Sequence, residues 1–382
     1  MGRAGAIAFW EPLDSQRNLP DHAAMNAAAS QALVKTLKTP ADLAAAGLVT
    51  AADVIDLAAV SARYATAIPP ALARLIAEYG DPIARQFVPS AQELNASPEE
   101  RADPVGDHTH SPVKGIVHRY PDRALLMPTL ACAVYCRFCF RRETVGNGAL
   151  TADELRAALA YIGATSAIWE VILTGGDPLT LSPRRIGEII KALDAIPHVK
   201  VIRIHSRVPV AIPERIDDAL IAALKKTRKA VYLGVHCNHA AELTGDAVAA
   251  CARLADAGIP LLAQTVLLKG VNDTAEDLEN LFRTLVAARV RPYYLHQLDY
   301  APGTGHFRVP IERGLTLVRG LRGKLSGLAL PTYILDIPGG AGKVPVDAGY
   351  LSPEGDGTYI VREPITRDSA DGHHSYPPQP LP

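Results

Sequence analysis

RALLMPTLACAVYCRFCFRR, residues 123–142, decides how the chain is read. Its first half is a continuous apolar run of strand length. The run passes directly into a loop holding Cys132, Cys136 and Cys139. An amphipathic stretch follows, TADELRAALAYI (151–162), in which Thr151 and Glu154 make a capping-box pair. Then come EVILTGG (170–176), SPRRIGEIIKAL (182–193) and VKVIRIHS (199–206). Ser182–Pro183 reads as a capped helix start with proline in the first turn. VYLGVH (231–236), IPLLAQTVLL (259–268) and RPYYLHQLD (291–299) continue the series, and Gly258 closes the helical stretch before the second of these. Strand–helix alternation of this kind predicts a parallel sheet with right-handed crossovers. Six such strands between about 124 and 299 predict an α/β fold, a partial (β/α)6 TIM-like barrel.

Outside this unit, residues 1–110 are Ala-rich and carry helical periodicity, as in AADVIDLAAVSARYA (51–65) and PPALARLIAEYG (69–80). The polar, Pro-containing stretch 96–113 reads as a surface loop or linker. The expected divisions are therefore a helical region over 1–110, the barrel over 111–345, and an extension over 346–382. The extension ends in a Pro-, His- and Ser-rich tail expected to be disordered.

The 382 residues are 48% hydrophobic and 21% charged, with a formal net charge of −1. That balance suits a globular enzyme and points to neither a nucleic-acid nor a membrane partner. No apolar run reaches membrane-spanning length, and the first fifteen residues lack a signal-peptide pattern, so a cytoplasmic protein is expected. Five cysteines, three of them within eight residues, do not make a disulfide framework.

Three thiolates on a loop after a strand can hold three corners of a cubane cluster, leaving the fourth iron open to a small molecule. A zinc site would need a fourth ligand at suitable spacing, and none is evident. Thr174, Gly175, Gly176 and Asp177 follow the second strand, where glycines would let backbone approach a ligand. His205-Ser206-Arg207, His236 and Gln264 fall at strand ends on the same rim, the face where barrel active sites lie. DIPGGAGK (336–343) is a Gly-rich turn ending in a lysine; without Walker spacing, it reads as a mobile turn offering an amine for a Schiff base. HRYPDR (118–123) sets two arginines just before the first strand, suited to a phosphate.

Together, CAVYCRFCFRR (132–142), LTGGDPL (173–179), RIHSRVPV (203–210), QTVLLKGVND (264–273), GHFRVP (305–310), HRYPDR and DIPGGAGK resemble the lysine 2,3-aminomutase family of radical S-adenosylmethionine (SAM) enzymes. The similarity runs from about residue 66 to about 362. It implies a [4Fe–4S] cluster on Cys132, Cys136 and Cys139, with SAM on the open iron near Thr174–Asp177, His236 and Gln264. It implies pyridoxal 5′-phosphate (PLP) carried by Lys343, its phosphate held by Arg119, Tyr120 and Arg123. It implies that Arg141 clamps the substrate carboxylate while Asp299 and Asp336 bind the ε-ammonium. The implied reaction moves an amino group from Cα to Cβ, initiated by a 5′-deoxyadenosyl radical, with an electron donor such as flavodoxin or ferredoxin.

Two features set the chain apart. Cysteines that bind an intersubunit zinc in studied members are replaced here: Thr274 follows the VND motif and no cysteine follows Cys251, so the oligomer is left open. CAVYCRFCFRR and RIHSRVPV look closer to the branch that makes (R)-β-lysine for elongation factor P, whereas GHFRVP and DIPGGAGK look closer to the catabolic and biosynthetic enzymes. Arginine or glutamate as substrate, and an inactive cluster protein, are the alternatives. The two aspartates favour a cationic side chain, and the intact cysteines and Lys343 favour an active enzyme.

Overall fold

The computed structural model describes residues 33–146, 148–346, 351–362 and 373–378. Residues 1–32 of the expected helical region lie outside the described residues. The remainder of that region forms α1 (Pro40–Ala45), α2 (Asp53–Arg63), α3 (Pro70–Tyr79) and α4 (Asp81–Phe87). Three of the four begin at or next to a proline, whose fixed φ is pre-set for a first helical turn. Leu37, Leu43, Ile68, Leu72, Ile83 and Phe87 make a core of their own, which also takes in Val134 from the cysteine loop. Each such buried side chain contributes about 1.5–3 kcal/mol, so the helical layer and the cysteine loop are held as one packed unit.

The main sheet has nine strands in chain order. The six expected strands are all present: β2 (Arg123–Thr129), β3 (Glu170–Gly175), β4 (Val201–Ser206), β5 (Ala230–His236), β6 (Leu261–Val266) and β7 (Val290–His296). They pair in parallel, and a seventh parallel strand, β8 (Thr332–Ile337), joins β7. Two antiparallel strands flank them: β1 (Ile116–Tyr120) on β2 and β9 (Gly342–Pro345) on β8. Among the described residues no pairing joins β1 to β9, so the barrel is partial. The six strands expected between about 124 and 299 are those found there, and β1, β8 and β9 lie outside that span.

Between the strands run α5 (Ala152–Ala164), α6 (Pro183–Asp194), α7 (Val208–Ala211), α8 (Asp218–Leu224), α9 (Gly245–Asp256), α10 (Ala275–Ala287) and α11 (Ile311–Leu321). The start of α5 is the predicted capping box: Thr151 Oγ1 accepts from Glu154 N and the Glu154 carboxylate accepts from Thr151 N. Ser182 caps α6, and Gly258, at φ +82°, ends α9. The apolar faces of α5, α6, α9 and α10 pack on one face of the strands in a continuous core, and the other face of the strands lines a cavity.

Two expectations change. The stretch read as a surface linker is buried at Pro104–Asp107 and lies under the Gly-rich turn. Gly106 has φ +68°, and a Cβ there would meet the carbonyl of Gly339 at 2.4 Å, so only glycine allows that approach. The C-terminal tail is not wholly disordered either. β10 (Leu351–Gly355), β11 (Thr358–Arg362) and β12 (His373–Tyr376) form a small antiparallel sheet. Tyr376 is buried edge-on against Tyr300, 5.4 Å between ring centroids. The aromatic anchor outweighs the Pro- and Ser-rich composition on which the expectation rested. The remaining tail residues lie outside the described ones, and no helix among the described residues is long and apolar enough to cross a membrane.

Candidate active site

The carboxyl ends of the strands surround one cavity of about 550 Å³. Its size is that of a cofactor and small-molecule site. Every residue singled out from the sequence lines it: Cys132, Cys136, Cys139, Thr174 to Asp177, His236, Gln264, Arg119, Tyr120, Arg123, Arg141, Asp299, Asp336 and Lys343. Parallel pairing explains part of the convergence, since His236 lies beside Gln264 across β5 and β6.

The three cysteines sit on the loop after β2. Burial pushes the thiols of Cys132, Cys136 and Cys139 up, that of Cys139 to about 11, so without a bound cation they stay protonated. A cluster supplies the positive charge that makes them thiolates. Among the described residues no three His, Cys, Asp or Glu side chains converge on a single ion. A cubane asks for something else, one thiolate per iron around a corner of the cavity. Fixed donors brace the loop. Arg137 N donates to Gln86 O at 2.8 Å, and its guanidinium grips Glu93 at 3.0 and 3.1 Å through Nε. Arg142 binds the same carboxylate. Arg207 donates from Nη1 to the Cys136 sulfur at 3.1 Å.

The Gly175–Gly176–Asp177 turn lines the cavity and is also packed against the cysteine loop. Gly175 has φ +106°, and a Cβ there would meet the Thr129 carbonyl at 2.8 Å. The glycines therefore bring this turn against the start of the cysteine loop, and Asp177 N donates to Ala131 O at 2.9 Å. The Asp177 carboxylate is already engaged by Ser206 Oγ at 2.8 Å, Arg207 N at 2.8 Å and Leu179 N at 3.0 Å. It locks two strand ends together at the edge of the cavity. His236 stacks on Phe138 at 5.7 Å, and its buried Nε2 has no hydrogen-bond partner within the chain. Burial drives its basicity well down, so it presents a neutral ring.

At the other end, Asp336 and Lys343 are directly opposed partners of the β8–β9 ladder. The Lys343 ammonium reaches the Asp336 carboxylate, and Lys343 N donates to Tyr120 Oη at 2.7 Å. The turn read as mobile is thus the loop of a paired hairpin. Arg119 Nη1 lies 3.9 Å from Asp336, and the Arg123 guanidinium stacks over the Tyr120 ring at 3.7 Å. Burial alone would raise Asp336, but Lys343 and His296 hold it below the usual carboxylate range. Asp299 goes the other way: burial, then the nearby charge of Asp336, pushes it up to about 8. Asp336 Oδ1 is buried without a hydrogen-bond partner in the chain.

Sequence reasoning missed Asp107. Its carboxylate bridges Arg141 Nε at 2.7 Å and Arg119 Nη2 at 3.3 Å. Burial works to raise it, and the two guanidiniums outweigh burial. The only signal was an aspartate between glycine and histidine in a presumed linker. Also unforeseen was the two-point Arg203–Glu170 pair at 3.0 and 3.1 Å on the cavity wall.

Comparison with known proteins agrees with this geometry. Residues 126–285 match the Radical SAM superfamily and residues 318–364 match the Lysine-2,3-aminomutase family. An L-lysine 2,3-aminomutase from Acetoanaerobium sticklandii is 45% identical over 284 residues, 74% of this chain and 68% of that protein. One from Fusobacterium nucleatum is 44% identical over 283 residues, covering 74% and 66%. A glutamate 2,3-aminomutase from Clostridioides difficile is 38% identical, covering 74% and 67%. The chain thus spans about two thirds of the length of these relatives. With its three loop cysteines, its lysine-bearing hairpin and these similarities, the chain belongs to the lysine 2,3-aminomutase family of radical SAM enzymes.

Proposed function

We propose that the chain is a lysine 2,3-aminomutase, converting L-lysine to β-lysine. The carrying observation is the pair of carboxylates, Asp299 and Asp336, facing one end of the cavity, with Asp299 raised to about 8. A carboxyl raised by burial and by a neighbouring carboxylate is ionised by a cation placed beside it. An ammonium group meets that need and also partners the orphaned Asp336 Oδ1. A third carboxylate there would be repelled, which disfavours glutamate.

When bound, the [4Fe–4S] cluster, SAM and PLP supply radical initiation and an electron sink for the migrating nitrogen. The chain's own residues do the rest. Cys132, Cys136 and Cys139 hold the cluster, and Lys343 carries PLP from the hairpin. Arg119, Arg123 and Tyr120 cluster where a phosphate would lie; a planar guanidinium suits that anion. Arg141 takes the substrate carboxylate in place of Asp107, a fork against a planar anion. Holding the substrate at both ends fixes Cα and Cβ. An external donor of the flavodoxin or ferredoxin class supplies the starting electron.

The test is incubation of anaerobically reconstituted protein with SAM, dithionite and one amino acid at a time, with chiral analysis of products. Lysine should give a β-amino acid, and ornithine, arginine and glutamate little. Preferred turnover of glutamate would reject the cation pocket.

A further inference from the structure

We propose that Arg207 is a positioning residue that sets the reduction potential of the cluster, through a hydrogen bond to the Cys136 sulfur. This rests on the cluster assignment above and adds to it a control over how readily the cluster accepts its electron.

Arg207 sits where β4 ends and is buried. Its guanidinium is held from several sides. Nη1 points at Cys136 Sγ, 3.1 Å away. Nη2 donates to Gln86 Oε1 at 2.6 Å and to Glu242. Its plane lies over the Phe87 ring, 4.5 Å from the centroid. The partners are fixed in turn. Glu242 accepts from the backbone of Asn238 at 2.9 Å, from that of His239 at 3.0 Å, and from Gln86 Nε2 at 3.2 Å. Gln86 Oε1 also accepts from Asn238 Nδ2 at 3.1 Å. Arg207 therefore cannot swing away from the sulfur without stripping a buried carboxylate of its counter-charge.

Two influences act on the cluster from here. The positive charge of Arg207 is largely matched by Glu242, so its long-range effect is small. The N–H···S contact is short-range and directional. A donor bonds more strongly to the more electron-rich sulfur of the reduced cluster, so it favours reduction and raises the potential. In this arrangement Glu242 restrains the effect, because it shares the guanidinium. The two residues should then shift the potential in opposite directions.

The experiment is an EPR-monitored potentiometric titration of reconstituted holoenzyme. Arg207→Lys keeps the charge, but a lysine drawn to Glu242 gives up the sulfur, so its cluster should reduce at a lower potential than wild type. Glu242→Gln leaves the guanidinium unbalanced beside Cys136, and its cluster should reduce at a higher potential. A separate reading needs no substitution. Reduced wild-type holoenzyme grown on guanidino-15N arginine should show a nitrogen hyperfine coupling in ENDOR spectra. Unchanged potentials in both variants at full iron content would overturn the proposal, as would absence of the nitrogen coupling in wild type. If neither variant retains iron, the nitrogen coupling decides alone. Wild-type protein that binds no iron would instead remove the cluster assignment itself.

Discussion

Asp299 is the residue whose environment makes the most specific demand. In the free cavity its carboxyl is raised to about 8, so at neutral pH it is largely protonated. An arriving ammonium ionises it, and lysine binding should release close to one proton at pH 7. Calorimetry of binding in buffers of different ionisation enthalpy would measure that proton, and Asp299→Asn should abolish it. The sign for stability follows. A carboxyl whose folded value is raised stabilises the fold at low pH, and that contribution fades as pH rises towards 8. Substrate-free protein should accordingly lose thermal stability between about pH 5 and 8, and bound lysine should restore it. Removing one partner of a buried ion pair costs about 3–5 kcal/mol, so Asp299→Asn should slow lysine turnover at least a hundredfold. Residues of this kind were legible because they sit in dense local motifs. Asp107 was not, since its meaning depends on Arg119 and Arg141 arriving from elsewhere in the chain.

Elements divide by how they are buried. Strands β2 to β7 are apolar on the face that the helices cover and carry the polar site residues on the face towards the cavity, and these short apolar stretches stand out between amphipathic helices. β9 is four residues, Gly342–Pro345, and no pattern of that length announces a strand. It exists because β8 offers an open edge and the glycines permit the turn. The linker was misread for the related reason that Pro and Asp look solvated until Gly339 is found on top of them. That packing predicts a difference between two glycines of similar φ. Gly47 at +72° has nothing within 4 Å of a Cβ, so Gly47→Ala should cost only the left-handed strain, about 1–2 kcal/mol. Gly106→Ala adds a backbone clash and should cost clearly more, with weaker PLP retention. Thermal denaturation and cofactor absorbance of the two variants would compare them.

For the whole molecule, the helical layer and the barrel meet at the cysteine loop. Glu93, from the segment after α4, is buried against both Arg137 and Arg142. The carboxylate is the common counter-charge for two guanidiniums, and Arg142 also donates from Nη1 to the Arg137 carbonyl at 2.8 Å. Glu93→Gln would leave both cations under-compensated, a loss of about 3–5 kcal/mol. Iron content should fall together with the melting temperature, although Glu93 touches no cysteine; iron assay and calorimetry would follow both.

The β8–β9 hairpin has a further consequence. Asp336 and Lys343 face each other across one ladder, so the proposed anchor for the cofactor and a proposed anchor for the far end of the substrate ride on the same paired hairpin. Their backbone spacing is set by the ladder pairing. The hairpin then works as a calliper, gauging substrate length from the bond being rearranged to the terminal charge. Ornithine falls one methylene short of the jaw and homolysine overreaches it by one. Both should be rejected, where a diffuse acidic patch would accept either.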